Sequence, residues 1–406
     1  MRTGTFAAIV TGRGQSGIAI VALRGRDARR IAAELFRPSR QFDIENAADG
    51  ALLYGHVFDG EKMIDEALLA IHAFPNEIWQ AEINCHGGFV SVRMVTEVLK
   101  RAGVEVVPWR QFLLLSTEGD RAAREAKLLL AEAKTERALR MLAAQAAGAL
   151  SRALRSVCSA VERGDLEAAR RETADLLDTA SLGRFLTESA KLCIAGAPNV
   201  GKSSLLNALV GSQRSLVYHV PGTTRDVVTA DWAVRGIPVV FYDTAGIRQT
   251  EDEVELEGVR LARLAVREAD LVLFVVDTSL EAAESRPEML RELGPVRKLL
   301  IANKCDLPPR FDPCKEGSFG GLPVAVTSAK TGEGIENLAL AIEKELLGDR
   351  AAGKGGQDES RAVVFARELA EDLSRVHGLL CNGNIKSAKI MNSEIFGILG
   401  RWLGEK

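Results

Sequence analysis

Aromatic residues are scarce in this 406-residue chain, at 5%, and no two of its cysteines stand at a metal-ligand spacing. With so few rings the cores must be aliphatic and alanine-rich, which favours helices. The six cysteines (Cys85, Cys158, Cys193, Cys305, Cys314, Cys381) are scattered without a CxxC pair. That speaks against a zinc site or a disulfide framework and fits a reducing cytosol. A dominant charge is also missing. The formal net charge of −3 gives no global pull toward nucleic acid, so any RNA contact would need a local basic patch. No apolar run is long enough for a membrane span; Leu271–Val276 reads as a buried strand. The opening MRTGTFAAIVTGRG is too short and too broken by glycine for a secretory signal. A cytoplasmic protein without a membrane partner is expected. What is present, 47% hydrophobic and 26% charged residues, is ordinary globular composition, and the length calls for two or three domains.

The pattern changes along the chain. Residues 1–118 read as a small α+β unit, with strands at Phe6–Val10, Ile18–Leu23 and Val104–Val107 and a helix at Val90–Arg101. Residues 119–188 are rich in Ala, Leu, Arg and Glu, with Leu128, Leu139, Leu142, Leu150, Leu154, Val157 and Val161 at helical spacing. Glu162-Arg163-Gly164-Asp165 looks like the turn of a helical hairpin. Residues 189–348 alternate strands (Lys191–Ala195, Val239–Tyr242, Leu271–Val276, Lys298–Ile301, Val324–Val326) with helices, the doubly wound parallel-sheet pattern. Residues 349–360 read as a linker, and 361–406 as a return to helix, with helix predicted over 361–380. The expected fold is an α/β P-loop domain with a mostly parallel sheet, inserted in an all-α domain and preceded by the α+β unit.

The chemistry concentrates in the α/β segment. Gly196-Ala197-Pro198-Asn199-Val200-Gly201-Lys202-Ser203 fits G-x-x-x-x-G-K-S between a strand and a helix, the context that motif requires. Loop N–H groups and the helix N-terminus would cradle phosphates. Lys202 is expected at the β and γ phosphates and Ser203 on Mg²⁺, with Asn199, Val200, Gly201 and Ser204 as further nucleotide contacts. Asp243-Thr244-Ala245-Gly246 follows a second strand; Asp243 would hold Mg²⁺ through water and the Gly246 N–H would meet the γ phosphate. Asn303-Lys304-Cys305-Asp306 follows a third strand. A carboxylate there accepts two N–H bonds from guanine N1 and N2, which adenine cannot offer. Ser328-Ala329-Lys330 would close over the base. Four motifs in this order imply a GTPase and not an ATPase. In Pro221-Gly222-Thr223-Thr224-Arg225-Asp226, Thr224 is the first choice for the switch threonine on Mg²⁺ and Thr223 the second. Ile247 stands where many GTPases carry glutamine to orient water. The acidic run Glu251, Asp252, Glu253, Glu255 and Glu257 offers replacements, each of which by itself reads more readily as a solvated loop charge than as a catalytic group.

Two patterns mislead. Gly12-Arg13-Gly14-Gln15-Ser16-Gly17 fits G-x-G-x-x-G, but a dinucleotide site needs a helix next, and IAIVAL is a strand; a hairpin turn is expected. Cys85-His86-Gly87-Gly88 is a tight turn before a helix, since adjacent Cys and His rarely face each other.

With these residues in place, the sequence resembles the MnmE (TrmE) family of tRNA-modification GTPases. The matches are GAPNVGKSSLLNAL, VPGTTRD, DTAGIRQTEDEVE, NKCD, SAK, the N-terminal IVTGRGQSGIAIV, INCHGG and EAKTERALRMLAAQAAGALS. The resemblance implies an N-terminal domain that dimerises and binds a formyl-tetrahydrofolate, and a helical domain split by the G domain. It implies a flavin-containing MnmG-like partner and wobble uridine of tRNA as the modified substrate. It also implies that K⁺ replaces an arginine finger as G domains pair in a homodimer. Residue by residue, Asn199 matches the side-chain ligand for K⁺, Tyr218 and Val220 match the carbonyl ligands, and Thr223 lies beside them. Glu255 matches the water-orienting acid, which singles it out of the acidic run, with Lys202 and Thr224 as the other catalytic candidates.

The sequence departs from the family pattern at three places. Ala22 stands where an arginine of the folate pocket is usual, with Arg24 two places on. LLLSTEGDRAAREA occupies the region of an Asn-Gly-Lys segment. The chain ends Arg401-Trp402-Leu403-Gly404-Glu405-Lys406 without the family's tail cysteine, the nearest being Cys381. A second reading therefore stands beside the first: a divergent member that keeps the GTPase switch and dimerisation without tRNA modification. A ribosome-assembly GTPase would share the G motifs but not the N-terminal match, and no strongly basic tail is seen.

Overall fold

A computed structural model describes residues 4–12, 16–117, 119–212, 231–243, 266–348, 361–382 and 388–404. The chain divides into two compact units, Met1–Glu118 and Gly119–Lys406.

The first unit is built on a seven-stranded sheet in the order β3-β4-β5-β6-β2-β1-β7. Its strands are β1 (Phe6–Ile9), β2 (Ile18–Gly25), β3 (Phe36–Pro38), β4 (Leu52–Asp59), β5 (Lys62–Phe74), β6 (Ile78–His86) and β7 (Glu105–Val106). Its helices are α1 (Ala28–Leu35), α2 (Phe89–Arg101) and α3 (Trp109–Ser116). All neighbours are antiparallel except β1 and β7. Alternate residues of the central strands (Val21, Leu23, Leu69, Ile71, Ile83) are fully buried in one core with residues of α1 and α2. The G-x-G-x-x-G decoy joins β1 to its antiparallel neighbour β2, with Phe6 opposite Arg24. No helix follows it to face a pyrophosphate. Strands β3–β6 were not anticipated individually. In β5 the run Glu66-Ala67-Leu68-Leu69-Ala70 consists of strong helix formers, and pairing on both sides overrides that propensity.

The second unit begins with five helices: α4 (Arg121–Leu130), α5 (Glu136–Ala146), α6 (Ala149–Glu162), α7 (Leu166–Leu177) and α8 (Ala180–Thr187). Side chains cap three of them: Asp120 accepts from the Ala123 N–H at 3.0 Å, Thr135 from Ala138 at 3.2 Å and Asp165 from Ala168 at 3.0 Å. Each such cap contributes about 1 kcal/mol. Gly164, at φ +73°, makes the reversal between α6 and α7. Leu139 departs from the expected apolar face; it is exposed.

Next comes a six-stranded sheet in the order β13-β12-β11-β8-β10-β9. It comprises β8 (Ala190–Ala195), β9 (Asp231–Val234), β10 (Ile237–Asp243), β11 (Leu271–Asp277), β12 (Lys298–Asn303) and β13 (Val324–Val326). Helix α9 (Lys202–Ser212), the short α10 (Met289–Glu292) and α11 (Ile335–Leu347) belong to this segment. Every pairing is parallel except β9 with β10. β11 is buried along its whole length, as a parallel strand covered on both faces should be.

Helices α12 (Arg367–Asn382) and α13 (Ala388–Leu403) return to the helical layer. Leu369, Leu373, Val376 and Trp402 share a core with Leu150, Leu154 and Val157. The α/β domain is thus inserted in an all-α domain. The predicted helix over 361–380 starts later, at Arg367. Val363 and Val364 are buried before it, and their N–H groups donate to Gln145 Oε1 (3.2 Å) and Thr179 Oγ1 (2.9 Å). These side-chain acceptors and two adjacent β-branched residues disfavour a further helical turn.

Candidate functional site

The site is assembled at the C-terminal ends of the parallel strands. β8 lies where the strand order changes direction, with β10 and β9 on one side and β11, β12 and β13 on the other. Ligands of open α/β sheets bind in the crevice at such a point. The phosphate loop leaves β8 here and runs into α9. Its backbone permits no substituent at two places. Gly196 has φ +143°, and a Cβ there would lie 2.3 Å from the Val275 carbonyl oxygen. Gly201 has φ +95°, and its Cβ would lie 2.5 Å from Asn303 Nδ2. Asn199 takes the left-handed conformation at φ +62°, which asparagine tolerates better than most residues. The Lys202 ammonium is held over the loop, donating to the carbonyls of Gly196 (3.0 Å) and Ala197 (2.8 Å). Val200 is buried, while Ser203 and Ser204 are exposed at the start of α9. Asp243 closes β10 in register with Ile194 of β8.

Asn303, at the end of β12, is 1% exposed and joins three segments. Its Nδ2 donates to the Val200 carbonyl at 2.8 Å. Its Oδ1 accepts from the Ala329 N–H at 3.1 Å and from the Thr327 hydroxyl at 3.3 Å. The phosphate loop is therefore tied to the Ser328-Ala329-Lys330 segment by one side chain. Lys304 has φ +65°, and its ammonium pairs with Asp277 at 2.5 Å. Burial pushes the Asp277 carboxyl up, but hydrogen bonds from Lys304 and Ser279 outweigh it and hold the group below its ordinary value. Asp306 is exposed, and one of its oxygens, Oδ1, accepts from the buried Ser328 hydroxyl at 2.7 Å. That bond orients the carboxylate whose acceptor edge suits the paired N–H groups of guanine. Ser328 Oγ also accepts from the Thr331 N–H at 3.2 Å, and Lys330 is exposed beside it.

Of the predicted residues, Asn199, Val200, Gly201, Lys202, Ser203, Ser204, Asn303, Lys304, Asp306, Ser328, Ala329 and Lys330 converge at this edge, with the Asp243 backbone beside them. Tyr218, Val220, Thr223, Thr224, Gly246, Ile247 and Glu255 lie outside the described residues. Two contributors were not anticipated, Asp277 and Thr327. Each ends or follows a strand at the same edge of the sheet, and that position was their only signal.

Of the other motifs, Cys85 and His86 end strand β6 and Gly88 precedes α2, while residues 13–15 of the glycine-rich motif lie outside the described residues. The His86 imidazole pairs with Asp65 at 2.8 Å and not with Cys85. The Cys85 thiol is buried, which pushes it up to about 11. In β2, Ala22 sits in a small apolar cluster with Ala8, Val107 and Phe112. Arg24 donates to Gln80 Oε1 at 3.1 Å and lies 3.6 Å from the centre of the Phe74 ring. Among the described residues no helix is long and apolar enough to cross a membrane, and no cluster of His, Cys, Asp and Glu could hold a metal.

Residues 191–304 match the model of the 50S ribosome-binding GTPase family, and residues 5–110 match that of the GTP-binding protein TrmE N-terminus. The chain is 34% identical over 374 residues to a tRNA modification GTPase MnmE of Bacillus subtilis, covering 84% of this chain and 82% of that one. It is 34% identical to the MnmE of Symbiobacterium thermophilum over 430 residues, covering 97% and 92%. It is 36% identical to that of Chloroflexus aurantiacus over 412 residues, covering 93% and 90%. The G domain of the T. maritima FeoB iron transporter is similar at 27% identity, covering 39% of this chain and 96% of that one with a TM-score of 0.29, too low to carry an argument. Identity of this extent, with the TrmE N-terminus and the G domain both present, makes this chain a GTP-binding GTP hydrolase belonging to the MnmE family of tRNA modification GTPases.

Proposed function

We propose that the protein hydrolyses GTP in a K⁺-stimulated cycle coupled to pairing of its G domains in a homodimer, and that the cycle serves wobble-uridine modification of tRNA with an MnmG-like flavoprotein. The observation that carries the reading is Asn303, which links the phosphate loop to the segment expected over the base. Such a link lets one nucleotide organise both ends of the site. Lys202 would meet the β and γ phosphates. Ser203, Thr224 and Asp243 would hold Mg²⁺. Asn199, Tyr218, Val220 and Thr223 would hold K⁺, which offsets charge developing on the transferred phosphoryl group. Glu255 would orient the attacking water in place of Ile247. Val200, Gly201, Ser204, Gly246, Lys304, Asp306, Ser328, Ala329 and Lys330 complete the nucleotide shell. The site's glycine cradle and acceptor carboxylate fit a guanine nucleotide.

The proposed domains are 1–118, 119–188, 189–348 and 361–406, with 349–360 as linker, and the proposed location is the cytoplasm. A formyl-tetrahydrofolate would have to bind the first unit without the usual arginine, because Ala22 is packed in an apolar cluster and Arg24 is engaged with Gln80 and Phe74. That observation favours the second reading, a GTPase switch that no longer supports modification. Nucleoside mass spectrometry of tRNA from a deletion strain separates the two. Loss of a modified wobble uridine, restored by the wild-type gene, is the expected result. An unchanged profile, with no second family member to cover the loss, would leave the switch alone.

A further inference from the structure

The hairpin of β9 and β10 joins the two expected switch segments directly. The Thr223–Thr224 segment precedes β9, and β10 ends at Asp243. Trp232 and Phe241 pack across the hairpin with ring centres 5.0 Å apart, so it is a braced element. Its turn, Arg235-Gly236, lies about 20 Å from the Asp243 end, at the rise per residue of a strand. This remote end does not face solvent alone; it is gripped by the helical domain. Thr135, the cap of α5, donates its hydroxyl to the Gly236 carbonyl at 2.7 Å. Arg137 of α5 donates to the Arg235 carbonyl at 2.9 Å and to Glu343 Oε1 of α11 at 2.7 Å. Arg235 donates to Glu343 Oε2 at 2.6 Å and to Glu336 at 2.9 Å. The Glu343 and Arg137 side chains are 5% and 8% exposed.

The turn is built for this contact. Arg235 has φ +50° and Gly236 φ +76°, the paired left-handed residues of a primed hairpin turn. Asparagine is the ordinary choice for the first of these positions, because its short polar side chain can hydrogen-bond the local backbone and offset the crowding of Cβ there. Arginine stands there instead, and its guanidinium reaches two carboxylates. Gly236 is required twice over: beyond its φ, a Cβ would lie 2.9 Å from Arg137 Cβ. Removing one partner of a buried ion pair leaves an uncompensated charge, so separating the turn from α5 and α11 is costly.

We infer that Arg137, Glu343 and Arg235 form the joint through which a change of nucleotide state at the switch segments reaches the helical domain. The three are positioning residues: they lie at the end of the hairpin opposite Asp243. This inference rests on the GTP-driven cycle proposed above. By linkage, whatever binds the helical domain and displaces α5 then alters the nucleotide site through the same hairpin.

The test is hydrogen exchange of the full chain, read on α5, with GDP and with a non-hydrolysable GTP analogue in KCl. In the wild type, α5 is expected to exchange at different rates in the two states. Arg235→Asn keeps a residue suited to the left-handed turn and removes the guanidinium. The charge-neutral pair Arg137→Met with Glu343→Leu removes the buried ions together. In both, the difference between nucleotide states should be lost from α5 while the affinity for a fluorescent GTP analogue is retained. A purely structural role would raise α5 exchange in both states equally and preserve their ratio; that result overturns the joint. So does a wild-type α5 that ignores the nucleotide. A wild type that binds no GTP analogue overturns instead the reading beneath it.

Discussion

Replacing Asn303 with alanine removes both halves of the link between the two nucleotide loops. The Val200 carbonyl loses its donor at 2.8 Å, and the Ala329 N–H and Thr327 hydroxyl lose a shared acceptor. Each buried polar group left without a partner costs about 1–3 kcal/mol. Thr327 is fully buried, so water cannot replace the loss there, whereas Ala329 is half-buried and is partly compensated. The sum is about 3–6 kcal/mol, shared between folding stability and the geometry of the site. If a third of it falls on the bound state, GTP affinity drops roughly 5- to 30-fold. Asn303→Asp separates the two halves. It keeps an acceptor for Ala329 and Thr327 but sets a carboxylate oxygen against the Val200 carbonyl. It should therefore impair phosphate binding, measured with a fluorescent GTP analogue, while denaturant unfolding shows whether the base-side segment is retained. If Asn303→Ala bound GTP like the wild type and unfolded at the same denaturant concentration, the link would contribute nothing and the reasoning would fail.

Asp306→Asn exchanges an acceptor pair for one acceptor and one donor, which matches xanthine and not guanine; GTP affinity should fall at least about 100-fold and xanthosine triphosphate should bind, as titration of both would show. GTP turnover should be much faster in KCl than in NaCl at equal ionic strength, and equal rates would sink the K⁺ assignment. Glu255→Ala should abolish turnover with affinity retained, since orienting water is a transition-state role; a parallel collapse of affinity would make Glu255 structural. The His86 imidazole is raised above its ordinary value by its hydrogen bond to Asp65. Such a group stabilises the fold fully below the unfolded value, about 6.5, and the contribution is lost as pH rises through the folded one. NMR titration should place the His86 midpoint above that of a free imidazole, and Asp65→Asn should bring it down.

The G-domain core was legible because its chemistry demands particular residues at fixed spacings. A Gly at φ +95° against Asn303, a lysine after it, and an Asn-Lys-x-Asp run at a strand end leave little freedom. Elements defined by pairing were harder to read. β5 carries helix-forming residues and is a strand only because β4 and β6 flank it. β9 has four residues, is paired among the described residues to β10 alone, and has too little periodicity to announce itself. Residues 361–366 stay outside the helix, and within them the Val363 and Val364 N–H groups are accepted by Gln145 and Thr179, far away in sequence. Asp277 could not be recognised from its own neighbourhood, since only the fold brings Lys304 beside it.

These non-local contacts also explain how a nucleotide site can report its contents. Asn303 links the loop for phosphate to the segment for the base, and Lys304–Asp277 fixes the backbone between them, so the nucleotide meets a preorganised surface. The opposite end of the same sheet has a different construction. There the β9–β10 turn is held by ion pairs that belong partly to α5, outside the α/β domain. A rigid nucleotide edge and a gripped remote turn, joined by one braced hairpin, are the parts a lever requires. This grip adds to other contacts between the inserted domain and its host, such as Arg184 of α8 with Asp270 at 2.6 Å, but it is the one made at the end of the hairpin that joins the switch segments. The arginine at the first turn position is the informative residue. A hairpin that needed only to reverse the chain would be better served by asparagine, and Arg235 is explained by the two carboxylates it reaches.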